Sequence, residues 1–246
     1  TEKKLYDNVD FIGCMSKSNL KYINEKRFID RDKLEVNPNS VDIGKYPTLC
    51  ESKFRKSYNI SSTDLVFVYG GNLGKPQGIS KILSFIDYVE TKKTIHFIIC
   101  GTGTETQIIK NYIKKHNIKN SMLFNKLNKK EYLQVVSESN MGLVFLHKSF
   151  TIPNYPSRVL DYMFYKLPVL CWTDKNSDIA DIFIKNDAGF SFKSEKNFSE
   201  IKTLIEKLNV DKRKRMGLNA YKVLLKHFQS NYSMRLIEKR LNKISK

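Results

Sequence analysis

The sequence predicts an α/β fold, in which a Rossmann-like parallel sheet is flanked by helices. Short apolar runs such as residues 65–69 and 96–100 alternate with amphipathic segments of ten or more residues. Continuous apolar runs are typical of parallel strands that are buried on both faces. Glycines follow both runs directly, at Gly70-Gly71 and at Gly101. Helices between successive strands provide the crossovers that parallel pairing requires.

The predicted elements are less regular before residue 64 than after it. The first part predicts a strand at 9–14, a helix at 17–26, a strand at 34–37 and a helix at 48–58, with the turn-rich segment 38–44 as the best candidate for a domain boundary. Later strands are predicted at 65–69, 96–100, 122–124, 141–146, 169–171 and 189–192. Later helices are predicted at 79–89, 105–116, 129–138, in the stretch after Pro156, and at 177–185, 198–208, 211–228 and 232–244.

The composition is globular, with a large excess of positive charge. The 246 residues are 41% hydrophobic and 28% charged, and the formal net charge is +18. No apolar run approaches the ~18 residues that a membrane-spanning helix needs. The charge suits an anionic membrane surface or a nucleic acid, although no nucleic-acid-binding motif accompanies it. For any single basic run, a solvated face is the simpler explanation.

The four cysteines give no sign of a metal site. Cys14, Cys50, Cys100 and Cys171 are widely spaced, without a CxxC pair or a histidine cluster. Cys100 and Cys171 end apolar runs, so we expect buried, reduced thiols.

Residues 155–171 are predicted to form a loop, a short helix and a buried strand. Pro156 suits the first turn of a helix. Ser157, Arg158 and Asp161 fall on the polar face near the helix start, where N–H groups, a hydroxyl and a guanidinium suit a phosphate. Asp161 is placed to accept hydrogen bonds from the vicinal hydroxyls of a sugar. An ordinary surface helix, with aspartate favoured by the helix dipole, explains the same residues equally well.

Two common nucleotide-binding motifs are missing from the sequence. Gly101-Thr102-Gly103 lacks the third glycine of a dinucleotide-binding loop, and no acidic residue ends the following strand. No GxxxxGK[ST] loop is present either. A nicotinamide enzyme is therefore disfavoured, and a P-loop ATPase is excluded.

Four segments, taken in order, resemble a known family. Gly-Gly-Asn-Leu-Gly-Lys-Pro-Gln-Gly at 70–78 precedes Cys-Gly-Thr-Gly at 100–103, Tyr-Pro-Ser-Arg-Val-Leu-Asp-Tyr-Met at 155–163 and Lys-Leu-Pro-Val at 166–169. The succession resembles the donor-binding half of a GT-B glycosyltransferase of family 4, of the type that assembles bacterial O-antigen and capsule. Residues 12–19 and 35–42 resemble the end of that family's N-terminal domain and its linker.

The resemblance assigns roles to the residues that match its motifs. Asp161 matches the second acid of the Glu-x7-Glu motif, which holds the nucleotide ribose, whereas Pro153 stands where the first acid would be. Arg158 stands where the subgroup has lysine and would keep a cation for the diphosphate.

The glycine-rich turn is expected to contact the diphosphate through its backbone. Gly70 and Gly71 permit close approach of the backbone to phosphate. Asn72 and Gln77 stand where many relatives have arginine and lysine, so Lys75 would share the catalytic charge with Arg158. The other expected binding residues are Gly101, Leu127 (to the base, through its backbone), Tyr155 (on the sugar or shielding the helix end), Pro156 and Ser157.

The resemblance implies transfer of a sugar from a nucleotide diphosphate sugar, usually UDP-linked, to a lipid-linked or polysaccharide acceptor. Such enzymes are retaining and need no bound metal or other cofactor. The implied domains are 1–42 (end of the N-terminal acceptor domain and linker), 43–228 (nucleotide-sugar-binding domain) and 229–246 (a C-terminal helix reaching toward the N-terminal domain). The implied location is cytoplasmic, peripheral on the inner face of the membrane. Because the chain begins without Met, we expect more protein upstream or a partner subunit.

Two other functions remain open from the residues alone. The chain can be a non-catalytic nucleotide-sugar-binding subunit that needs a separate acceptor subunit. It can also be a basic membrane- or nucleic-acid-binding module in which the sheet is only a scaffold.

Overall fold

The computed structural model describes residues 2–27, 29–49, 53–193 and 198–244; Cys50 lies outside them. The strands are β1 (Ile12–Cys14), β2 (Leu34–Val36), β3 (Leu65–Gly70), β4 (Ile95–Cys100), β5 (Ser121–Phe124), β6 (Met141–Phe145), β7 (Val169–Trp172) and β8 (Gly189–Phe192). The helices are α1 (Glu2–Asp7), α2 (Lys17–Arg27), α3 (Lys53–Ser57), α4 (Ile79–Glu90), α5 (Thr106–Lys115), α6 (Lys129–Ser137), α7 (Arg158–Phe164), α8 (Ile179–Lys185), α9 (Phe198–Lys207), α10 (Val210–His227) and α11 (Ser230–Ile244).

The predicted parallel sheet is confirmed, with strand order β5-β4-β3-β6-β7-β8 and parallel pairing between all neighbours. The chain leaves β3 toward one edge of the sheet and returns at β6 to build the other half. This reversal makes β3 and β6 the topological switch point, where open α/β sheets bind ligands at the carboxyl ends of their strands.

Alternating residues of β3 supply the two cores that lie on either face of the sheet. Val66 and Val68 point to the core that α6, α7, α8 and α10 cover, whereas Phe67 and Tyr69 point to the core under α4, α5 and α9. All four side chains are fully buried. Helices on both faces therefore explain why the strand is apolar at every position rather than at alternate ones.

Two predictions for the first part of the chain are wrong in detail. The strand expected at 9–14 is reduced to Ile12–Cys14 and follows a short helix, α1, that was not expected. The helix expected at 48–58 covers only Lys53–Ser57 among the described residues. Residues 47–49 have no regular structure, and Tyr46, which precedes them, is anchored elsewhere, as described below.

Residues before 42 form a small unit that contacts the C-terminal helix. β1 and β2 pair in parallel, and Cys14, Leu20 and Leu34 form a core of their own. Val41 accepts from the Ser230 N–H (2.9 Å) and donates its own to the Phe228 carbonyl (2.8 Å). In α11, Arg240 pairs with Glu35 at 2.7 Å. The division at 42/43 and 228/229 stays a prediction.

The described cysteines are buried free thiols. Burial raises the pKa of Cys14, of Cys100 (to about 12) and of Cys171. Across the described residues, no three His, Cys, Asp or Glu side chains come together as a metal site would require. Within the residues that the structure describes, no helix is both long enough and apolar enough to cross a membrane.

Candidate functional site

A cavity of about 780 Å³ opens at the carboxyl edge of the sheet, between the ends of β3, β4 and β5 and the start of α7. Parallel strands bring their carboxyl ends to one edge, so residues distant in sequence meet there. The lining residues are Gly70, Gly71, Asn72, Cys100, Gly101, Thr102, Phe124, Asn125, Lys126, Leu127, Tyr132, Ser157, Arg158 and Asp161.

Eight of the twelve predicted site residues line this cavity, namely Gly70, Gly71, Asn72, Gly101, Leu127, Ser157, Arg158 and Asp161. Lys75 does not. It starts a 3-10 turn, Lys75–Gln77, and lines a neighbouring cavity with Glu105 and His147. Lys75 thus lies outside the cavity that Arg158 lines, and its share in holding the diphosphate charge stays a prediction.

The other three predicted residues are buried beside the cavity instead of lining it. Gln77 lies beneath Arg158 and accepts its hydrogen bond. Tyr155 packs on Phe228 with ring centroids 6.0 Å apart, and its two expected roles stay predictions. Pro156 is buried just before α7.

Two glycines bring the turns after β3 and β4 into contact. Gly71 has φ of +121°, which side-chain-bearing residues rarely adopt. A Cβ built on Gly101 would overlap the carbonyl group of Gly71. Because both positions lack side chains, the two turns approach closely and leave backbone on the cavity wall.

We expect Gly101→Ala to lower the free energy of unfolding by about 2 kcal/mol, since overpacking a close contact forces backbone to move. Urea denaturation measures the change. Gly44→Ala is the control, because a Cβ there meets only the Asp42 carboxylate, at 3.3 Å. Equal stability of the Gly101→Ala and wild-type chains would contradict the prediction.

Arg158 is buried, at 9% exposed, rather than on an exposed helix face. Its Nη2 donates to Gln77 Oε1 at 2.7 Å, and its guanidinium lies 4.4 Å from the centroid of the Tyr69 ring. The Tyr69 hydroxyl lies 3.1 Å from the same Gln77 oxygen and donates to the Asn72 carbonyl at 2.8 Å. Tyr69 and Gln77 thus tie the arginine to the glycine-rich turn.

The Nη1 group of Arg158 is buried and has no hydrogen-bond partner among the described residues. Burial alone would lower the pKa of Arg158, but the neighbouring tyrosine hydroxyls, that of Tyr69 first, outweigh burial and the pKa is raised. The cavity wall therefore holds a permanent positive charge with an unused donor, which an anionic ligand can satisfy.

The helix that carries Arg158 contributes to the cavity wall through its side chains. α7 has only seven residues, and Ser157 at its N-cap position makes no capping hydrogen bond with its side chain. The exposed Ser157 hydroxyl is therefore available at the cavity wall.

Asp161 lines the cavity but is already paired. Its Oδ1 accepts from the Tyr46 hydroxyl at 2.9 Å, and Lys129 Nζ lies 3.0 Å from Oδ1 and 2.9 Å from Oδ2. Tyr46 also stacks on Phe164, with centroids 3.6 Å apart. Burial and the Asp161 carboxylate raise the pKa of Tyr46, so its hydroxyl stays a donor. Among the described residues, Asp161 Oδ2 accepts a hydrogen bond from Lys129 alone, so it can accept another from a ligand.

Sequence reasoning missed three residues of this site. Tyr46 lies just after the predicted domain boundary, Lys129 belongs to the first turn of α6, and Tyr132 lines the cavity one helical turn later. Their helix or linker was predicted, but the face that meets the cavity depends on how α6 packs on α7. No sequence pattern carried that signal.

The model of the family described as "Glycosyl transferases group 1" matches residues 51–223 of the chain. That match covers well over half of the sequence, including the glycine-rich turn, the β5 loop and α7. The chain belongs to the group 1 glycosyl transferases. Among curated proteins, no sequence matches it.

Solved structures of other proteins share the fold, which is GT-B. Sucrose-phosphate synthase from Thermosynechococcus elongatus superposes with a TM-score of 0.76 at 14% identity, over 99% of this chain and 61% of that one. Anabaena Alr3699/HepE, solved with UDP and glucose, superposes with a TM-score of 0.77 at 16% identity, over 96% of this chain and 64% of that one. A glycosyltransferase from Rickettsia africae ESF-5 superposes with a TM-score of 0.77 at 15% identity, over 99% of this chain and 67% of that one. This group 1 chain therefore spans about three fifths of the length of such proteins.

Proposed function

We propose that this chain is the donor-binding half of a family 4 glycosyltransferase that takes its sugar from a UDP-sugar. The observation that carries the proposal is the buried, charged Arg158 with an unpartnered Nη1, at a cavity formed by backbone turns at the switch point of the sheet. Such a site suits a diphosphate, because a fixed cation with an unused donor lies where glycines leave no side chains in the way. The solved Anabaena protein holds UDP and glucose, which supports UDP as the nucleotide.

In this proposal, Arg158 stabilises the negative charge that develops on the leaving diphosphate when the glycosidic bond breaks. The charge is fixed in place before the reaction by Gln77 and Tyr69, so little reorganisation is needed. Asp161 accepts hydrogen bonds from the ribose hydroxyls, and the loop around Leu127 lies beside the base. The sugar passes to a hydroxyl of the acceptor with retained configuration and without a metal ion.

The proposed acceptor is a lipid-linked or polysaccharide hydroxyl of the O-antigen or capsule type, bound by an N-terminal domain or a partner subunit outside this chain. The formal charge of +18 supports docking at an anionic membrane surface on the cytoplasmic side. The contact between α11 and the residues before 42 supports a C-terminal helix that reaches the N-terminal domain.

The test is calorimetric titration of the chain with UDP and with 2′-deoxy-UDP. We expect UDP to bind more tightly than the deoxy analogue, and Asp161→Asn to lower UDP affinity about tenfold, because a charged acceptor is lost. The preference for UDP over the deoxy analogue should shrink in Asp161→Asn, because the substitution and the loss of the 2′-hydroxyl remove the same interaction.

Asp64→Asn is the matched control for this titration. Asp64 is another carboxylate with a partner, His96 at 2.9 Å, and its side chain is only 13% exposed, but it precedes β3 at the opposite edge of the sheet. Its substitution should leave UDP affinity unchanged. Absence of UDP binding by the wild-type chain, or equal affinity in Asp161→Asn, would contradict the proposal.

A further inference from the structure

The Tyr132 hydroxyl is a second unsatisfied donor on the cavity. It is buried and has no hydrogen-bond partner within the described residues, although Tyr132 lines the cavity. By contrast, the hydroxyls of Tyr69 and Tyr162 both have partners. Buried hydroxyls are normally satisfied, so one left without a partner on a cavity wall indicates a missing ligand atom.

The position of Tyr132 follows from the start of α6. Asn128 and Glu131 form a capping box, in which each side chain accepts from the backbone N–H of the other at 2.9 Å. This cap fixes the first turn of α6, and Tyr132 follows it directly. Its ring and hydroxyl lie against Gly70, where a Cβ would overlap them. The hydroxyl is thus held at the end of β3, beside the glycine-rich turn.

The surroundings of the hydroxyl favour an anionic oxygen. Arg158 and Gly71 lie next to each other, with the guanidinium carbon 3.4 Å from a Cβ built on Gly71, and Gly71 directly follows the glycine that Tyr132 covers. Burial raises the pKa of Tyr132 well above its ordinary value, so the phenol remains a donor. The proposed ribose acceptor Asp161 also acts on this hydroxyl and raises its pKa, so uridine is the ligand that separates a ribose contact from a diphosphate contact.

We infer that Tyr132 is a further binding residue whose hydroxyl donates to an oxygen of the nucleotide diphosphate, alongside Arg158. The inference rests on the proposed function and adds a residue to it. Both donors then serve the same anion, one as a fixed cation from α7 and one as a neutral hydroxyl from α6.

The experiment compares Tyr132→Phe with the wild-type chain, using UDP and uridine as ligands and thermal unfolding without ligand. We expect UDP affinity to fall about tenfold, because a hydrogen bond to a charged oxygen is lost, and uridine affinity to stay unchanged. The ligand-free chain should melt at the same or a higher temperature, because the variant removes an unsatisfied buried hydroxyl. Structural damage would lower the melting temperature and affect both ligands.

Tyr165→Phe is the matched control, because Tyr165 also has a buried hydroxyl without a partner but is not among the residues that line the cavity. Its UDP affinity should equal that of the wild type. Unchanged UDP affinity in Tyr132→Phe, or an equal loss of affinity for uridine, would overturn the inference. The proposed function would still stand in that case, provided that the wild-type chain binds UDP. Failure of the wild-type chain to bind UDP would overturn both.

Discussion

Replacing Arg158 with alanine is expected to lower affinity for UDP about a hundredfold. The guanidinium is buried on the cavity wall, so its attraction to a diphosphate is weakly screened, and truncation of one partner of a buried charge pair typically costs about 2–5 kcal/mol. A hundredfold loss corresponds to about 2.7 kcal/mol, within that range. Calorimetric titration measures the loss, and far-ultraviolet circular dichroism checks that the variant is folded.

One companion variant separates the charge of Arg158 from its shape, and a second variant, at another arginine, is the control. Arg158→Met keeps a long side chain over Tyr69 without the cation, and should bind UDP as poorly as the alanine variant. Arg215→Ala removes an exposed arginine that pairs with Asp187 at 3.1 Å, and should bind UDP like the wild type. A wild-type affinity in both Arg158 variants would contradict the assignment of the diphosphate to this residue.

Arg55→Ala is expected to produce the largest loss of stability, about 3 kcal/mol. The buried guanidinium donates to the carbonyls of Glu138 (2.9 Å), Ser61 (2.6 Å) and Asp64 (3.1 Å) and to Asn140 Oδ1 (2.8 Å). Truncation removes all four hydrogen bonds and leaves the partly buried Glu138 and Asp64 carbonyls without this donor, whereas Ser61 and Asn140 each keep a backbone donor. For a chain of this size the melting temperature should fall by about 6–12 °C.

Lys92→Ala provides the comparison for Arg55. Lys92 pairs with Glu206 at 2.9 Å, but both side chains are substantially exposed, so its removal should change stability by less than about 1 kcal/mol. Scanning calorimetry of both variants measures the difference. Equal melting temperatures for Arg55→Ala and Lys92→Ala would show that the Arg55 network does not hold α3 to the end of α6.

The predicted site was most accurate where it depended on strand ends. Gly70, Gly71, Gly101 and Leu127 follow strands that were recognisable from apolar runs, and strand ends in a parallel sheet share one edge. Lys75 comes from the same glycine-rich turn but lines the neighbouring cavity, and the sequence gives no sign of that difference. For Arg158, the sequence suggested a polar helix face, but tertiary packing buries this one side chain against Tyr69 and Gln77.

The amino-acid sequence by itself determined the class of fold, the order of its elements and the edge of the sheet at which the candidate site lies, because hydrophobic period and glycine position are local properties. Only the tertiary structure decided which side chains meet at that edge. Tyr46 reaches Asp161 across 115 positions of sequence, and Tyr132 reaches Gly70 from another helix. Such contacts depend on how helices pack against each other, and a helix presents the same sequence pattern whichever neighbour its buried face touches.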